Sequence, residues 1–432
     1  MRLGTITLAT ALPLLACAQI PEPVLPAGVG VNIHFTTGHE RDLDLMATAG
    51  FKFIRMDFHW AGIEREKNVY DWSAYDELTA NLEKRGLRAL YILDYSNPLY
   101  EEEITSPNPL TGKPYQTPAS PQHEESITAF AKWAAAAARH FSGRKIIWEI
   151  WNEPNGHFWT PKPDARQYAA LALATAKAIR EADKDAKIVG PATAGFPWDF
   201  LETVFKAGVL EYFDAVTVHP YRNYSSPPET AAPDYAKLRG MIDRYAPAAS
   251  KRKISVLSGE WGYATHQRGV SLETQAAFAA RQQLANLLNG VPLSIWYDWT
   301  NDGTDPKETE HNFGVTLSDL KPKPAYHAIQ TLTRELSGYR IAHRHDVGSE
   351  NDFVLVLADA KKNMKLAAWT MGEPHRVTLK LGSKRSSVLP ATMDGGRPTE
   401  VRAQKGSLAL DLTAMPQYVT LGKTVLKTDP PR

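Results

Sequence analysis

Two glutamates stand where β-type runs of the sequence end, and their residue type and position suit acid–base chemistry. Glu153 follows the run 145–151 and precedes Pro154, and Glu260 follows the run 253–259. Two carboxyl groups that face each other across a cleft can divide the cleavage of a glycosidic bond, because one protonates the leaving oxygen while the other attacks the anomeric carbon. The charge of the attacking carboxylate raises the pKa of its neighbour, which keeps the acid protonated near neutral pH.

Position alone does not separate these glutamates from ordinary surface carboxylates, because most exposed loop glutamates are simply solvated. Glu149 is a nearby alternative to Glu153: it lies mid-strand between Trp148 and Ile150 and would need a partner if it pointed into the protein. We predict a structural role for Glu149. The catalytic interpretation of Glu153 and Glu260 therefore depends on the elements that position them.

Short β-type runs alternate with helical stretches from residue 28 onward, which is the pattern of βα units around a parallel sheet. The eight predicted strands are 30–34, 51–58, 88–94, 145–151, 187–191, 215–219, 253–259 and 292–298. Amphipathic or Ala-rich helices are predicted between them, among others at 74–85, 124–141, 166–182 and 272–288. The sequence predicts an α/β fold, a (β/α)8 TIM barrel over residues 27–336, with both glutamates at strand ends on one face. A doubly wound fold lacks support, because no strand precedes a Gly-x-Gly-x-x-Gly turn.

Two segments stand outside the regular alternation. The Pro-rich insertion 97–121 is longer than an ordinary βα connection, and we expect it to form part of the wall of the site. Beyond residue 336 the sequence changes to short β-rich runs separated by Gly, Asp and Asn. We predict a C-terminal antiparallel β-sandwich over residues 337–432.

Composition disfavours several classes of protein. The chain has 432 residues, with 49 Lys and Arg against 48 Asp and Glu, and therefore a formal charge of +1. This small net charge would not attract the protein to nucleic acid or to an anionic membrane. No internal run reaches the ~18 apolar residues of a membrane span. Eleven Trp and seventeen Tyr would suit stacking on flat apolar ligands, although most of them must belong to the core.

The N-terminal residues have the features of a secretory signal. Arg2 precedes the apolar stretch 3–15, and an Ala-x-Ala cleavage site centred on Cys17 follows, so residues 1–18 are predicted to be a signal peptide. The run ending in Cys17 also resembles a bacterial lipobox, in which Cys17 becomes the lipidated first residue. Soluble export, to the medium or periplasm, and lipid anchoring at the bacterial envelope both stay open. Cys17 is the only cysteine, so we expect neither a disulfide nor a cysteine nucleophile in the folded body.

The residues around the two glutamates resemble those of retaining glycoside hydrolases built on (β/α)8 barrels. The motif Trp-Asn-Glu-Pro at 151–154 on strand four, with Glu-Trp-Gly at 260–262 on strand seven, is similar to clan A of these enzymes. The match is nearest to family 39-like members, which include β-xylosidases and exopolysaccharide endoglycosidases, with family 5 as second choice. It spans about residues 29–332 and implies that Glu153 is the general acid/base and Glu260 the nucleophile.

The resemblance also implies roles for residues at other strand ends. Asn152 corresponds to the residue that hydrogen-bonds the sugar 2-hydroxyl, and Arg55 to the arginine that keeps the nucleophile ionised. His219 and Tyr221 resemble the pair whose tyrosine hydroxyl contacts the nucleophile. Trp296 resembles the tryptophan that floors the site. Other interpretations stay open, since Arg55 could pair with a neighbouring aspartate and Trp296 could belong to the core.

Further side chains are predicted to contact sugar, and one subsite departs from the family pattern. His34 ends strand one and Trp261 follows the second glutamate, and both are candidate contacts, as is His59. The aromatic candidates for stacking on pyranose faces are Trp60, Trp159, Trp261, Trp296, Tyr297 and Trp299. Family 5 enzymes carry a histidine at the end of strand three, where this chain has Asp94 and Tyr95, which leaves the neighbouring subsite undefined.

No metal or cofactor is predicted. His34, Asp57 and His59 could supply three ligands to a barrel metal site, but a histidine near a strand end is more often a hydrogen-bonding residue. A phosphate loop, a Schiff-base lysine at a strand end and a metal cluster, which mark other barrel chemistries, are not evident in the sequence.

The sequence therefore predicts a retaining glycoside hydrolase that acts on a β-linked or sterically equivalent α-L oligo- or polysaccharide. The expected partner is this saccharide; no nucleic acid is expected, and membrane attachment is expected only through a lipidated Cys17. The alternative is a carbohydrate-binding barrel without turnover, which the two carboxylates at their expected strands disfavour. Endo or exo action stays open, since the insertion 97–121 could edge a groove or close a pocket, and the oligomeric state is also open.

Overall fold

The structure is a computed structural model, and its described parts cover most of the chain. They comprise residues 20–108, 112–248, 253–382, 387–392 and 398–427. The predicted signal peptide, including Cys17, lies outside the described residues. Over the described ranges, no helix combines the length and the apolar character needed to span a bilayer.

Strands and helices alternate through the first three quarters of the chain, and strands follow them. The strands are β1 (Val29–Asn32), β2 (Phe53–His59), β3 (Arg88–Asp94), β4 (Glu103–Pro107), β5 (Pro114–Pro118), β6 (Ile147–Ile150), β7 (Lys187–Ala194), β8 (Ala215–His219), β9 (Ser255–Trp261), β10 (Ser294–Trp296), β11 (Arg340–His345), β12 (Asp352–Ala358), β13 (Met364–Thr370), β14 (His375–Lys380), β15 (Ser387–Thr392), β16 (Pro398–Gln404), β17 (Ser407–Leu412) and β18 (Gln417–Gly422). The helices are α1 (Glu40–Ala49), α2 (Trp60–Ile63), α3 (Ser73–Lys84), α4 (Glu124–His140), α5 (Ala165–Ala182), α6 (Trp198–Lys206), α7 (Ala232–Tyr245), α8 (Leu272–Leu288) and α9 (Pro324–Glu335).

Eight strands close into a barrel in the order β1-β10-β9-β8-β7-β6-β3-β2, and each neighbouring pair is parallel. Each of them overlaps one of the eight predicted strands, and the predicted TIM barrel is confirmed. Local chemistry fixes where several helices begin. Asp164 and Ser271 precede α5 and α8, and their side-chain oxygens accept hydrogen bonds from backbone N–H groups of the first turn.

The two faces of the barrel sheet have different occupants because side chains alternate along each strand. Nine apolar residues from the strands fill the barrel interior: Phe53, Leu90, Ile92, Ile147, Val189, Ala215, Leu257, Leu293 and Ile295. The intervening residues, such as Ile54, Tyr91 and Trp148, belong to the larger core formed with the helices. Further along the inward face, toward the carboxyl ends of the strands, polar residues take the place of these apolar ones. This polar layer forms the candidate site.

The predicted insertion contains a short hairpin, β4 and β5, which pair antiparallel with Ser106 opposite Tyr115. Glu101 ties the start of this segment to α4. Its buried carboxylate accepts hydrogen bonds from Ser126 Oγ at 2.5 Å and from the backbone N–H of Gln122 at 2.9 Å. The insertion is therefore anchored to the barrel at its base.

The C-terminal strands form one antiparallel sheet that curls on itself, in the order β11-β12-β13-β18-β15-β16-β17-β14. This agrees with the predicted antiparallel β-sandwich. One face of β12 and β13 packs within the curled sheet, through Val354 and Leu366. The opposite face, with Phe353 and Trp369, belongs to the same core cluster as the barrel helices. The two parts of the protein thus share an apolar interface.

A buried ion pair lies in that interface. Arg281 on α8 binds Glu229 through two parallel hydrogen bonds of 2.7 and 2.8 Å, and Trp369 on β13 donates its indole N–H to the same carboxylate at 2.7 Å. All three side chains are buried. Burying a charge in a low-dielectric interior is costly unless the charge is paired and hydrogen-bonded. Here the bidentate guanidinium and the additional indole donor offset the cost of burying the Glu229 carboxylate.

Candidate active site

Arg55 occupies the centre of the polar layer at the carboxyl ends of the barrel strands. It is 1% exposed and donates from Nε to Glu149 Oε2 at 2.7 Å, from Nη1 to Glu260 Oε2 at 2.7 Å, and from Nη2 to Asn152 Oδ1 at 2.8 Å. The ends of three strands, β2, β6 and β9, are thereby linked through one planar cation, because the guanidinium directs its donors in a fixed fork. Arg55 contacts Glu260, as the resemblance implied.

Glu149 is the partner that keeps Arg55 in place. It is fully buried on the inward face of β6 and forms an ion pair with Arg55. Arg55 is therefore the partner that a buried Glu149 was expected to need. Gly259 on β9 approaches it closely, since a Cβ at that position would lie 3.1 Å from Glu149 Oε1. A glycine at 259 therefore leaves room for the buried carboxylate beside the site.

Glu260 projects from the end of β9 and is held at both oxygens. Arg55 donates to one oxygen, and the Tyr221 hydroxyl donates to the other at 2.8 Å. Its side chain is 14% exposed, so part of the carboxylate faces the cleft. A carboxylate that receives a cationic and a hydroxyl donor is stabilised in its charged form, which is the form that attacks carbon.

Glu153 has a different environment. It lies in the loop after β6 with φ of 45°, and the neighbouring Trp151 has φ of 68°, so both adopt the left-handed backbone that non-glycine residues seldom use. Burial raises the pKa of Glu153 to about 7, although Arg55 acts in the opposite direction. The carboxyl group is thus poised to hold a proton near neutral pH.

His219 connects the two halves of the site. Its Nδ1 lies 2.8 Å from Glu153 Oε1 and its Nε2 lies 3.3 Å from Nη2 of Arg55. Burial lowers the pKa of His219 to about 4, so the ring is neutral. Because an arginine can only donate, Nε2 must be the acceptor, and we assign the ring proton to Nδ1, where it is donated to Glu153. The acidic proton of Glu153 is then left for its other oxygen.

The two candidate carboxyl groups lie close together. One carboxylate oxygen of Glu153, one of Glu260 and a ring nitrogen of His219 are all within 4.8 Å of one another. Within the described residues these three form the group of His and acidic side chains that could share a metal ion, whereas His34, Asp57 and His59 do not converge into one. The donors from Arg55 and Tyr221 already occupy both oxygens of Glu260.

Asn152 and His34 also face the cleft. Asn152 accepts from Arg55 and donates from Nδ2 to the Tyr95 hydroxyl at 3.0 Å. His34 lies on the other side, with Nε2 3.1 Å from Asp298 Oδ2. Burial alone would lower the pKa of His34, but the Asp298 carboxylate outweighs it and raises the value to about 9. His34 is therefore an imidazolium at neutral pH.

The structure does not bring the predicted tryptophans to the cleft. Trp296 and Trp261 are both 0% exposed and pack in the core between the sheet and the helices. The other three tryptophans of the predicted stacking set, Trp60, Trp159 and Trp299, are at most 1% exposed. Leu293 and Ile295 face the barrel interior, so alternation turns Trp296 outward and Tyr297 inward. Tyr297 is the only member of the set that is partly exposed, so the aromatic position that this strand turns inward belongs to Tyr297 and not to Trp296.

Two acidic residues near Tyr297 were not predicted. Glu310 accepts a hydrogen bond from the Tyr297 hydroxyl at 3.1 Å, and burial raises the pKa of Glu310 to about 7. Asp298 pairs with His34. Glu310 lies in a polar loop after β10 with no strand-end pattern, so no sequence signal marked it. Asp298 was visible as the residue that ends the eighth predicted strand.

Comparison with known proteins supports this reading of the fold. The model of the family Cellulase (glycosyl hydrolase family 5) matches residues 24–303. A β-xylosidase from Caldicellulosiruptor saccharolyticus is 26% identical over 244 residues, covering 50% of this chain and 48% of the relative. The matched chain thus spans about half the length of that curated relative.

Solved structures give the same result over more of the chain. A family 39 glycoside hydrolase from the gut symbiont Bacteroides cellulosilyticus WH2 superposes with a TM-score of 0.76 at 25% identity, covering 93% of this chain and 82% of that one. A GH39 β-xylosidase from Caulobacter crescentus has a TM-score of 0.65 at 19% identity, covering 94% and 98%, which is a likeness of fold. Since the family model matches more than half of its length, the chain belongs to glycosyl hydrolase family 5 as that model defines it, within the clan A barrel glycoside hydrolases that also include family 39.

Proposed function

We propose that this protein is a retaining glycoside hydrolase that cleaves O-glycosidic bonds of an oligo- or polysaccharide by double displacement. The observation that carries the proposal is the pair Glu153 and Glu260, with oxygens within 4.8 Å of each other and with opposite environments. Retaining enzymes need carboxyl groups about 5–5.5 Å apart, because one of them must reach the anomeric carbon directly. A wider gap would leave room for the water that inverting enzymes use.

In the first step Glu260 attacks the anomeric carbon. The bond from that carbon to the leaving oxygen breaks, an ester bond to Glu260 forms, and Glu153 transfers its proton to the leaving oxygen. Arg55 and Tyr221 hold the attacking carboxylate in its charged form and in one orientation. The pKa of Glu153 near 7 supports its role as the acid.

In the second step water replaces the aglycone. Glu153, now ionised, accepts a proton from water as the oxygen attacks the anomeric carbon, and the bond to Glu260 breaks. Both enzyme carboxyl groups return to their starting states. Two inversions at one carbon give a product with the configuration of the substrate.

The substrate we propose is a β-linked, or sterically equivalent α-L, neutral sugar. The carboxyl groups of Asp57 and Glu260 are partly exposed beside the Arg55 guanidinium, so the carboxylate of an anionic sugar would meet hydrogen-bond acceptors there and would find no donor on them. Tyr297 supplies an apolar face for a pyranose ring. The β-xylosidase names of several relatives make aryl β-D-xylosides the first compounds to assay.

A panel of aryl β-D-xyloside, -glucoside, -galactoside and -mannoside, with aryl α-L-arabinofuranoside, tests the proposal. The wild type should hydrolyse at least one of them, and Glu153→Gln and Glu260→Gln should each lower kcat by about 10³-fold or more on a substrate with a poor leaving group. Glu202→Gln is the matched control on α6, distant from the site and expected to be unchanged. The alternative is a carbohydrate-binding barrel without turnover. It would be supported if the folded wild type bound saccharide but hydrolysed neither the panel nor cell-wall and biofilm polysaccharides.

We propose that the protein is exported from the cell. Whether it is then soluble or lipid-anchored depends on whether Cys17 is lipidated. The lipobox-like run before Cys17 supports anchoring, and the Ala-x-Ala pattern supports release. Expression of wild type and Cys17→Ala in a bacterial host, followed by fractionation, separates the two. Equal solubility of both proteins after export would eliminate the lipid-anchored form.

A further inference from the structure

Two inward-facing aspartates lie on neighbouring strands beside Arg55, at the subsite where the sequence departs from the family 5 pattern. Asp57 follows Arg55 by two residues on β2, and Asp94 follows the interior residue Ile92 by two on β3, so both side chains take the inward face. Asp94 is 0% exposed, whereas Asp57 is partly exposed at the floor of the cleft.

Asp94 is a buried carboxyl group that has one side chain, Asp57, within reach for a hydrogen bond. Among the described residues, no N–H or hydroxyl donor reaches either of its oxygens. The side chain of Asp57 lies within hydrogen-bond reach. Two carboxyl groups can bond only when one of them carries a proton. Burial first, and the Asp57 charge second, raise the pKa of Asp94 well above its ordinary value, so Asp94 holds the proton and Asp57 accepts it.

Asp57 is partly exposed, so its carboxylate can accept further hydrogen bonds. In the described part of the chain, no donor other than Asp94 is found for its carboxylate. The residue is close enough to Arg55 and to His34 to affect the pKa of both, so its carboxylate lies near these two side chains. A ligand that occupies this cleft must therefore bring hydroxyl or amine donors to Asp57, because an unsatisfied carboxylate in a closed site is costly.

We propose that Asp57 is a specificity-determining residue that accepts a hydrogen bond from a ring hydroxyl of the bound glycone, and that Asp94 is the positioning residue that fixes its carboxylate. This rests on the proposed glycosidase function and deepens it. Asn152 is the residue expected to take the 2-hydroxyl, so Asp57 takes the 3- or the 4-hydroxyl. The pair selects a sugar with a free hydroxyl there and rejects one with a carboxylate.

The test couples protein variants to deoxy sugars. The aryl glycoside that the wild type hydrolyses fastest is compared with its 3-deoxy and 4-deoxy analogues in wild type, Asp57→Ala, Asp94→Asn and Asp94→Leu. Asp57→Ala should lower kcat/KM on the parent by about 100-fold, since hydrogen bonds to charged groups are among the stronger ones. On one of the two deoxy analogues, wild type and Asp57→Ala should agree within about threefold, because the bond is already absent.

The Asp94 variants test the positioning role. Asparagine keeps an N–H donor toward Asp57, so Asp94→Asn should stay within about tenfold of wild type on the parent, whereas Asp94→Leu should lose as much as Asp57→Ala. Asp352→Asn changes another buried aspartate, far away in the C-terminal sheet, and should leave kcat/KM unchanged.

Any one of three results with the variants would overturn the inference: equal losses by Asp57→Ala on the parent and both analogues, no loss by Asp57→Ala on the parent, or an Asp94→Asn variant as impaired as Asp94→Leu. If Asp94→Leu does not fold, the Asp57 comparison decides alone. If the wild type hydrolyses no glycoside, the proposed function itself is wrong. This outcome is distinguishable from failure of the Asp57 inference, because the wild type is assayed before any variant. Faster hydrolysis of an aryl glucuronide than of the neutral parent also contradicts the proposal.

Discussion

Arg55 holds together two buried or half-buried negative charges that would otherwise repel each other. It binds Glu149 behind the site and Glu260 at the cleft, both at 2.7 Å. The desolvation of a guanidinium is offset only when each donor finds an acceptor, and here three of its nitrogens do so. The geometry of the proposed nucleophile, Glu260, and the stability of the barrel floor thus depend on Arg55.

Arg55→Leu is expected to impair both properties. It leaves Glu149 buried without a counter-charge, which should lower the free energy of unfolding by about 3–5 kcal/mol. It should also lower kcat/KM by about 10³-fold, because Glu260 loses its cationic donor. Urea unfolding and steady-state kinetics measure the two effects. Wild-type stability together with wild-type activity in this variant would show that Arg55 is not the organising residue.

The alkaline limb of the pH profile should follow the ionisation of Glu153, the proposed acid. Its pKa is raised to about 7, and the protonated form is the one that donates, so kcat/KM should fall about tenfold per pH unit above this value. His219 contributes no limb in this range, because burial lowers its pKa to about 4. Glu153→Gln, assayed on dinitrophenyl glycosides that need no acid, should lose the limb. A limb that stays at the same pH in this variant must belong to another group.

The two glutamates should respond differently to azide. In Glu153→Ala, azide enters the vacated space and attacks the glycosyl-enzyme from the side that water would use, so the glycosyl azide keeps the substrate configuration. In Glu260→Ala, azide attacks the substrate directly and gives the inverted azide. Proton NMR of the anomeric signal distinguishes the products. The opposite stereochemistry in the two variants would exchange the roles assigned to Glu153 and Glu260.

At the scale of elements, the barrel strands were predictable because each is a short apolar run between turn residues, and all eight predicted strands are found. The inward face was not predictable. Parallel strands are buried on both faces and carry no apolar alternation, so Trp296 and Tyr297 were equivalent candidates for the cleft. Only the register of β10 in the closed barrel separates them.

Other elements escaped prediction for the same physical reason, namely that tertiary pairing rather than local pattern creates them. The hairpin of β4 and β5 lies in a Pro-rich insertion, and β15 and β16 each contain a proline and mix polar with apolar residues. Asn152, Arg55, His219 and Tyr221 do converge on the two glutamates, while Glu310 comes from a loop with no sequence signal.

The contact between α8 and β13 should couple the unfolding of the barrel to that of the C-terminal sheet. Arg281→Met leaves Glu229 buried without its cation and should lower the free energy of unfolding by about 3–5 kcal/mol. Arg376→Met is the matched control, because Arg376 and Asp411 form an exposed pair expected to contribute little to stability. Calorimetry should show one transition, shifted downward in Arg281→Met. Two separate transitions, with an unchanged barrel, would mean that the interface does not couple them.

At the scale of the whole molecule, the C-terminal sheet and the barrel share one apolar core, in which Phe353 and Trp369 pack with the barrel helices. The scaffold behind the site is therefore continuously packed, while the cleft at the carboxyl ends of the strands collects charged residues from most of them. The near-zero net charge of the chain conceals this local concentration of carboxyl groups. The proposed substrate recognition depends on these local groups and not on the overall charge.

Trapping of the covalent intermediate tests the proposed mechanism most directly. The wild type is incubated with dinitrophenyl 2-deoxy-2-fluoro glycosides of the sugars it hydrolyses, which form the glycosyl-enzyme rapidly and release it slowly. The intact mass should increase by one fluoroglycosyl group, and peptide mapping should place it on Glu260, with no labelling of Glu260→Gln. Labelling of Glu153, or hydrolysis with inverted configuration and no covalent adduct, would contradict double displacement through Glu260.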